Sequence, residues 1–457
     1  MARVRALFFC ADCGNETPRW QGQCPACGAW NTLAEAPSEA AASERARAPW
    51  TGGGALRLAD VDAAGLARLS SGLSEFDFVV GGGLVPGALL LVGGEPGIGK
   101  STLLLQVAAR LEQMGASTLY ASGEESASQV RMRAERLGAA ALRVPFFGGT
   151  SLDAVLAEAR ARAPRVLFLD SIQTVQSADT DQAPGSMAQL RECTAVLQRF
   201  AKESGTTVVL VGHVTKDGSV AGPRTLEHIV DTVLYFEGAP GMDHRILRAT
   251  KNRFGSADEI GVFRMTPDGL APVEDASAVF LGERCDRLSG SAVTAVIEGT
   301  RPLLIEVQAL CSRTSYGVPQ RVATGFDRQR LALLLAVLEK RAAVPSGQFD
   351  VFVNVAGGAR LAEPAGDLAV VVALASSVAE QDVPARTVFI GEVGLGGEIR
   401  NVGQMERRIG EALRSGFDTA VVPEGVKSAG SGMRCIAVAD VPTLLDRLFS
   451  WTSAPPS

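Results

Sequence analysis

The stretch LLLVGGEPGIGKST, residues 89–102, limits what this chain can fold into more than any other. A short apolar run enters G-x-x-x-x-G-K-[ST], from Gly94 to Ser101, and the helical pattern LLLQVAARLEQM follows at once. Strand, glycine-rich turn and helix in that order form the context in which the motif is a phosphate-binding loop. Gly94, Glu95, Pro96, Gly97, Ile98, Gly99, Lys100, Ser101 and Thr102 are therefore the candidate cradle for ATP. Its glycines let backbone N–H groups wrap the phosphates, Lys100 meets the β/γ charge, and the Ser101 hydroxyl is placed for Mg²⁺.

Such a loop implies a parallel α/β sheet, and the sequence around it agrees. ALLLVGG, STLYASG, RVLFLDS, TTVVLVGH and DTVLYFEG are near-continuous apolar runs separated by helical patterns such as SMAQLRECTAVLQRFAKE. Strands of that kind are buried on both faces. HRILRATKNR and EIGVFRMTPDG read as antiparallel additions at the end of the sheet. This block spans about residues 56–273. A further block, 274–457, mixes strands (AVTAVIEG, RPLLIEVQAL, FDVFVNVAGG, RTVFIGEVG) with helices (QRLALLLAVLEKRA, DLAVVVALASSVAE). No solenoid-period repeat is present.

The net charge of −6 excludes a uniformly basic nucleic-acid coat but leaves room for local basic grooves. No window approaches an unbroken apolar span, and MARVRALFFC is too short in apolar residues for a signal peptide. The expectation is a cytoplasmic protein with no membrane partner. Four of the eight cysteines lie at the start, in CADCGNETPRWQGQCPACGAW, as C-x2-C-x10-C-x2-C. Cys10, Cys13, Cys24 and Cys27 in that spacing make a closed tetrahedral thiolate site, typical of structural Zn²⁺. Iron in a rubredoxin-like site has the same spacing. The knuckle covers residues 1–32, and EAPSEAAASERARAPWTGGG within 33–55 reads as a linker.

Two acidic positions complete the ATPase reading. RVLFLDS ends a buried strand in Asp170, placed to hold Mg²⁺. TLYASGEES ends the strand after the P-loop helix and puts Glu124 and Glu125 at its tip, either of which could orient the attacking water. A last feature is RATKNRFG, 248–255, which sets Lys251 and Arg253 two residues apart. On an extended segment both point the same way. They suit a trans-acting finger on a neighbour's phosphate, a DNA contact, or an ordinary basic turn.

The order of P-loop, SGEES, LFLDS, GHVTKDG and KNRFG, behind a four-cysteine knuckle, resembles the bacterial RadA (Sms) family of DNA repair proteins over essentially the whole chain. That resemblance implies a RecA-like P-loop ATPase core with an N-terminal zinc knuckle and a C-terminal, inactive Lon-protease-like α+β domain. It implies a DNA-dependent ATPase of homologous recombination and the response to DNA damage. Such a protein is expected to be a ring-forming motor, hexameric, that promotes branch migration and the processing of stalled forks. Single-stranded and branched DNA and the RecA recombinase are the implied partners. By the resemblance Glu124, rather than Glu125, matches the catalytic glutamate, and His213 stands where RecA-like proteins keep a γ-phosphate sensor. The loops 176–192 and 212–228 match two channel-facing loops, the second offering Lys216 and Arg224 to a DNA backbone. Without interleaved aromatics these loops suit backbone tracking rather than base stacking. Lys251 and Arg253 are read as the trans finger.

IGEVGLGGEIRNVGQMERRIGEALRSGFDTAVVPEG resembles the Lon protease domain. Lon enzymes carry their catalytic lysine where this chain has Glu406, and their serine within the segment matched by LAEPAGDLAV, which contains none. A Ser–Lys mechanism needs both groups. Arg321, Arg328, Arg330, Lys340 and Arg341 are candidates for a basic surface on this domain, or for a solvated helix face. Two other functions fit the same parts: an ATP-switched scaffold without translocation, and an ATP-dependent Lon-type protease, which the lost dyad opposes.

Overall fold

A computed structural model describes residues 8–10, 16–17, 19–35, 67–213, 226–238, 243–281, 289–314, 317–426 and 432–449. The chain divides into two compact units, 1–237 with 245–272, and 238–244 with 273–457. The N-terminal ribbon is a small antiparallel sheet in the order β2-β1-β3, from β1 (Phe8–Cys10), β2 (Glu16–Thr17) and β3 (Leu33–Glu35).

The large sheet of the first unit uses β4 (Leu89–Gly94), β5 (Thr118–Ser122), β6 (Phe146–Gly148), β7 (Val166–Asp170), β8 (Thr207–Val211), β9 (Thr232–Glu237), β10 (His244–Asn252), β11 (Ile260–Thr266) and β12 (Gly269–Pro272). Their order is β12-β11-β10-β9-β4-β8-β7-β5-β6. The strands from β9 to β6 are parallel. β10 runs antiparallel to β9, and β11 to β12, as the sequence of those segments implies. The apolar runs are continuous because alternate residues feed two cores. Leu90, Val92, Tyr120, Phe168, Val209 and Val211 pack on one face under helix Lys100–Gln113. Leu89, Leu91, Leu119, Leu167, Leu169 and Leu210 pack on the other under helices Leu152–Arg162 and Met187–Ser204.

Helix boundaries have local causes. Ser186 accepts a hydrogen bond from the Gln189 N–H at the start of Met187–Ser204, and Gly205 ends it in the left-handed region. Ser126 and Gln129 form a reciprocal capping box that starts helix Ala127–Leu137 directly after Glu124 and Glu125.

The second unit is built on a mixed sheet of β13 (Ser291–Glu298), β14 (Arg301–Arg313), β15 (Arg321–Thr324), β16 (Phe349–Val355), β17 (Thr387–Phe389), β20 (Thr419–Pro423) and β21 (Arg434–Val438), with the separate pair β18 (Glu392–Val393) and β19 (Ile399–Arg400). The order is β15-β16-β14-β13-β17-β20-β21. Helix Asp367–Ala379, apolar almost all round, is buried through its first three turns. The basic residues of 321–341 do not act alike. Arg330 forms an ion pair with the buried Asp367. Arg321 donates to the carbonyls of Phe349 and Ser346, and Arg341 to that of Leu395. Arg328, Lys340 and Arg341 are exposed, so the basic surface expected there is smaller than the sequence suggests.

Candidate active site and metal centre

Because β4, β5, β7 and β8 are parallel and in register, their C-terminal ends open at one edge, where α/β sheets bind ligands. β4 delivers the P-loop there. Gly94 must be glycine: its φ is +152°, and a Cβ would stand 2.5 Å from the Phe236 carbonyl oxygen. Gly97 and Gly99 also have positive φ, at +75° and +116°. Glu95, Pro96 and Gly97 form the exposed rim of the loop. Lys100 is buried, and its Nζ donates to the carbonyls of Gly94 and Glu95 at 2.8 and 2.9 Å. Burial lowers the Lys100 pKa, against the nearby Asp170 and Glu124, which raise it. Ser101 and Thr102 follow, half-buried, in the first turn of the helix.

β7 ends in Asp170, joined to Ser171 by a cis peptide. The Asp170 Oδ2 accepts a hydrogen bond from the Tyr120 hydroxyl at 2.7 Å, whereas Oδ1 is buried without a partner. Burial raises this carboxyl's pKa; the Ser101 and Tyr120 hydroxyls lower it, and Glu124 and Glu125 push it up again. Ser171 Oγ, Gln173 Oε1 and His213 Nδ1 are likewise buried without partners.

The two glutamates at the end of β5 differ in a way the sequence leaves open. Glu125 is held by Arg133 through both its oxygens. Glu124 is exposed, and its Oε2 lies 2.9 Å from His213 Nε2. Ser122 Oγ accepts from the N–H groups of both residues, at 3.3 and 3.0 Å, and so fixes the turn that separates their directions. His213 is the last described residue before 214–225, so Lys216 and Arg224 lie outside the described residues.

KNRFG sits at the other end of the sheet. Lys251 and Asn252 pair with Val233 and Thr232, and Thr232 in turn pairs with Leu90 at the start of β4. Leu90 to Gly94 is four residues of strand, or roughly 13 Å, so these cations cannot reach the P-loop of their own chain. The strand is also less regular than the spacing predicts: a bulge falls between Ala249 and Lys251, and Arg253 already lies in the turn beyond β10. Both cations nonetheless meet one segment. Lys251 Nζ donates to the carbonyls of Glu227 and Val230 at 2.5 and 2.9 Å, and Arg253 contacts Asp231 Oδ1 at 3.2 Å. Burial and then Arg253 lower the Lys251 pKa, opposed by Asp231 and Glu227. Phe254 packs against the core and anchors the turn.

In the ribbon, the Sγ atoms of Cys10, Cys24 and Cys27 lie within 4.8 Å of one another, and Cys10 to Cys27 is 3.7 Å. Zn–S bonds of ~2.3 Å in a tetrahedron put sulfurs about 3.8 Å apart, so the thiols fit zinc. Gly28 takes φ +75° and its N–H donates to the Cys24 carbonyl, the tight turn expected after each Cys pair. Cys13 lies outside the described residues.

Sequence reasoning missed Tyr120, Ser122 and Arg133. A hydroxylated aromatic inside the buried strand TLYAS is a signal in itself, because a buried phenol seeks an acceptor. Arg133 carries no such mark, since only the fold brings it back to Glu125.

Residues 8–35 match the model of a rubredoxin metal-binding domain, and residues 55–219 that of an AAA domain. The DNA repair protein RadA of Pseudomonas aeruginosa is 47% identical over 453 residues, covering 98% of this chain and 100% of that protein. RadA of Bacillus subtilis is 46% identical over 448 residues, with 96% and 98% covered. RadA of Brucella abortus is 47% identical over 439 residues, with 93% of each covered. A crystal structure of the RadB recombinase is similar over 45% of this chain and 100% of its own, with 25% identity and a TM-score of 0.37. With such identity along nearly its full length, and with a P-loop ATPase core behind a zinc ribbon, this chain belongs to the RadA family of DNA repair proteins.

Proposed function

We propose that the protein is a DNA-dependent ATPase that works as a homo-oligomeric ring, hexameric, driving branch migration of recombination intermediates and the processing of stalled forks alongside the RecA recombinase. The domain plan is a knuckle at 1–32, a linker at 33–55, the ATPase at 56–273 and the Lon-like domain at 274–457. The observation that carries this reading is the Glu124–His213 contact. It joins the group best placed to act on water to the residue that opens 214–225, where Lys216 and Arg224 are the DNA-contact candidates.

Each residue then has a role. Lys100 leaves the carbonyls of Gly94 and Glu95 for the β/γ-phosphates, an exchange of neutral acceptors for charged ones. The Asp170 carboxyl, with Oδ1 unpartnered and under the influence of the Ser101 hydroxyl, fits a hydrated divalent ion; Mg²⁺ bound there would neutralise the developing phosphate charge. Glu124, unencumbered by arginine, orients the attacking water and takes its proton on the carboxylate, whereas Glu125 stays in its pair with Arg133. Lys251 and Arg253, remote from their own P-loop, serve the nucleotide of a neighbouring chain. The Lon-like domain has no peptidase function.

Hydrolysis measured with and without single-stranded DNA, followed by a branch-migration assay, tests the proposal. DNA should raise the rate, and the stimulation should fall with salt as backbone charge is screened. A rate indifferent to DNA would instead favour the ATP-switched scaffold.

A further inference from the structure

We infer that Tyr120 is a positioning residue for the ATPase site: its hydroxyl holds the Asp170 carboxylate so that the free oxygen is presented to the divalent ion. The inference rests on the reading of Asp170 as the metal-side carboxylate.

An aspartate at a strand end turns easily about its terminal torsion, which is broad and nearly two-fold. Its two oxygens are equivalent, so what must be fixed is the plane of the carboxylate and with it the direction of the oxygen left for the ligand. Here the Tyr120 hydroxyl donates to Oδ2 at 2.7 Å, and Oδ1 is the oxygen left without a partner. The donor is rigid. Tyr120 is completely buried in the middle of β5, directly opposite Phe168 in β7, with ring centroids 6.2 Å apart and nearly parallel. Its ring also forms one wall of a cavity of about 330 Å³ lined by Leu105, Val130 and Phe146. Two strands in fixed register thus set where the phenol oxygen lies, and the phenol sets the carboxylate. Ser122, two residues further along β5, faces Asp170 in the register and fixes the turn bearing Glu124. One strand therefore positions both acidic groups of the site. A buried phenol could have satisfied its hydroxyl on any carbonyl, as most do; this one uses the carboxylate that the nucleotide's ion requires.

The test is Tyr120→Phe in the full-length protein, which keeps the ring and removes only the donor. The Mg²⁺ concentration for half-maximal binding of a fluorescent ATP analogue should rise about 10-fold, the effect usual for a group that orients a metal ligand. Mn²⁺ affinity, read by electron paramagnetic resonance with ADP present, should weaken in parallel. Turnover at saturating Mg²⁺ should fall by less than the Mg²⁺ requirement rises. A lower melting temperature with an unchanged Mg²⁺ requirement would make Tyr120 merely structural and overturn the inference. Asp170→Asn keeps the two failures apart. If it removes the Mg²⁺ dependence of binding while Tyr120→Phe is silent, only the inference falls; if Asp170→Asn is silent too, the reading of Asp170 falls. Should Tyr120→Phe not fold, 3,5-difluorotyrosine at position 120 keeps the ring and strengthens the donor. A changed Mg²⁺ requirement then supports the inference, and an unchanged one overturns it.

Discussion

Both compact units bury charged and polar side chains, but they treat them differently. In the ATPase unit Asp170 Oδ1, Ser171 Oγ, Gln173 Oε1 and His213 Nδ1 are all buried without partners, at or just beyond the C-terminal ends of β7 and β8. In the second unit, among the described residues, no buried side-chain polar atom is left so. Arg408, 2% exposed, is enclosed by Glu363 and by the carbonyls of Ala295 and Gly403. Asp367 takes Arg330 and the Val393 N–H, and Glu411 takes Ser277 and Arg414. Unpaired buried polar atoms are costly, so native structures keep few, and a group of them marks where a ligand completes the bonding. The contrast marks the ends of β7 and β8 as a place where a ligand would complete the bonding.

The contrast predicts where substitutions hurt. The largest effect is expected at the residues proposed to act across chains. Lys251→Ala or Arg253→Ala should lower DNA-stimulated turnover by about 10³–10⁵-fold, the scale of a trans finger, while ATP affinity stays nearly intact. Each chain mixed with Glu124→Gln protein should regain part of the rate, since one mixed pair joins an intact Glu124 to an intact neighbour. If mixing restores nothing and DNA affinity falls in proportion, KNRFG is a DNA contact. Next in size is Glu124→Gln itself, expected to keep nucleotide binding and lose about 10²–10⁴-fold in hydrolysis. Glu125→Gln should chiefly loosen Arg133; equal losses from both would dissolve the distinction their geometry draws.

Much of the fold and of the site is legible in the sequence. The P-loop, the strand carrying Asp170 and the antiparallel additions were readable because each couples a residue pattern to a local geometry: glycines to positive φ, continuous apolar runs to buried parallel strands. What could not be read were pairings set by the fold alone. Nothing local separates Glu124 from Glu125; the difference is Arg133, which helix Ala127–Leu137 brings back beside the strand end. The period-two rule put Lys251 and Arg253 on one face, but β10 bulges and ends at Asn252. Their convergence comes instead from the segment 227–231 that both of them touch. Arg330, counted with a surface cluster by its neighbours in sequence, is drawn inward by Asp367, thirty-seven positions away.

In the second unit the expected losses are of stability. Glu363→Ala leaves the Arg408 guanidinium buried without its carboxylate, which should cost about 3 kcal/mol, since removing one partner of a buried pair strands the other charge. Urea unfolding of the full chain should show a lower midpoint for that unit, with the nucleotide affinity of the ATPase unit unmoved. A matching loss of nucleotide affinity would mean the second unit shapes the ATP site. In the ribbon, Cys24→Ser should release the zinc, read as metal content per chain, and leave ATP affinity unchanged; metal retained by the variant would remove Cys24 from the ligand set.

The smallest effect is expected at Glu406, where the Lon resemblance would otherwise place chemistry. Glu406 is an exposed carboxylate in the first turn of helix Met405–Arg414. An anion there interacts favourably with the helix N-terminus, an interaction worth about 0.3–1 kcal/mol when exposed to solvent. It is no substitute for an amine base, because a nucleophile must also stand within hydrogen-bond reach, and residues 361–370 contain no serine. The two acids of that segment are already committed, Glu363 to Arg408 and Asp367 to Arg330. Glu406→Ala should therefore leave ATP hydrolysis as it was and lower stability only slightly. Peptidase activity on an unfolded protein should be undetectable before and after the change, with or without ATP. Cleavage that Glu406→Ala abolishes would show that this unit, for all its satisfied charges, still holds a working site.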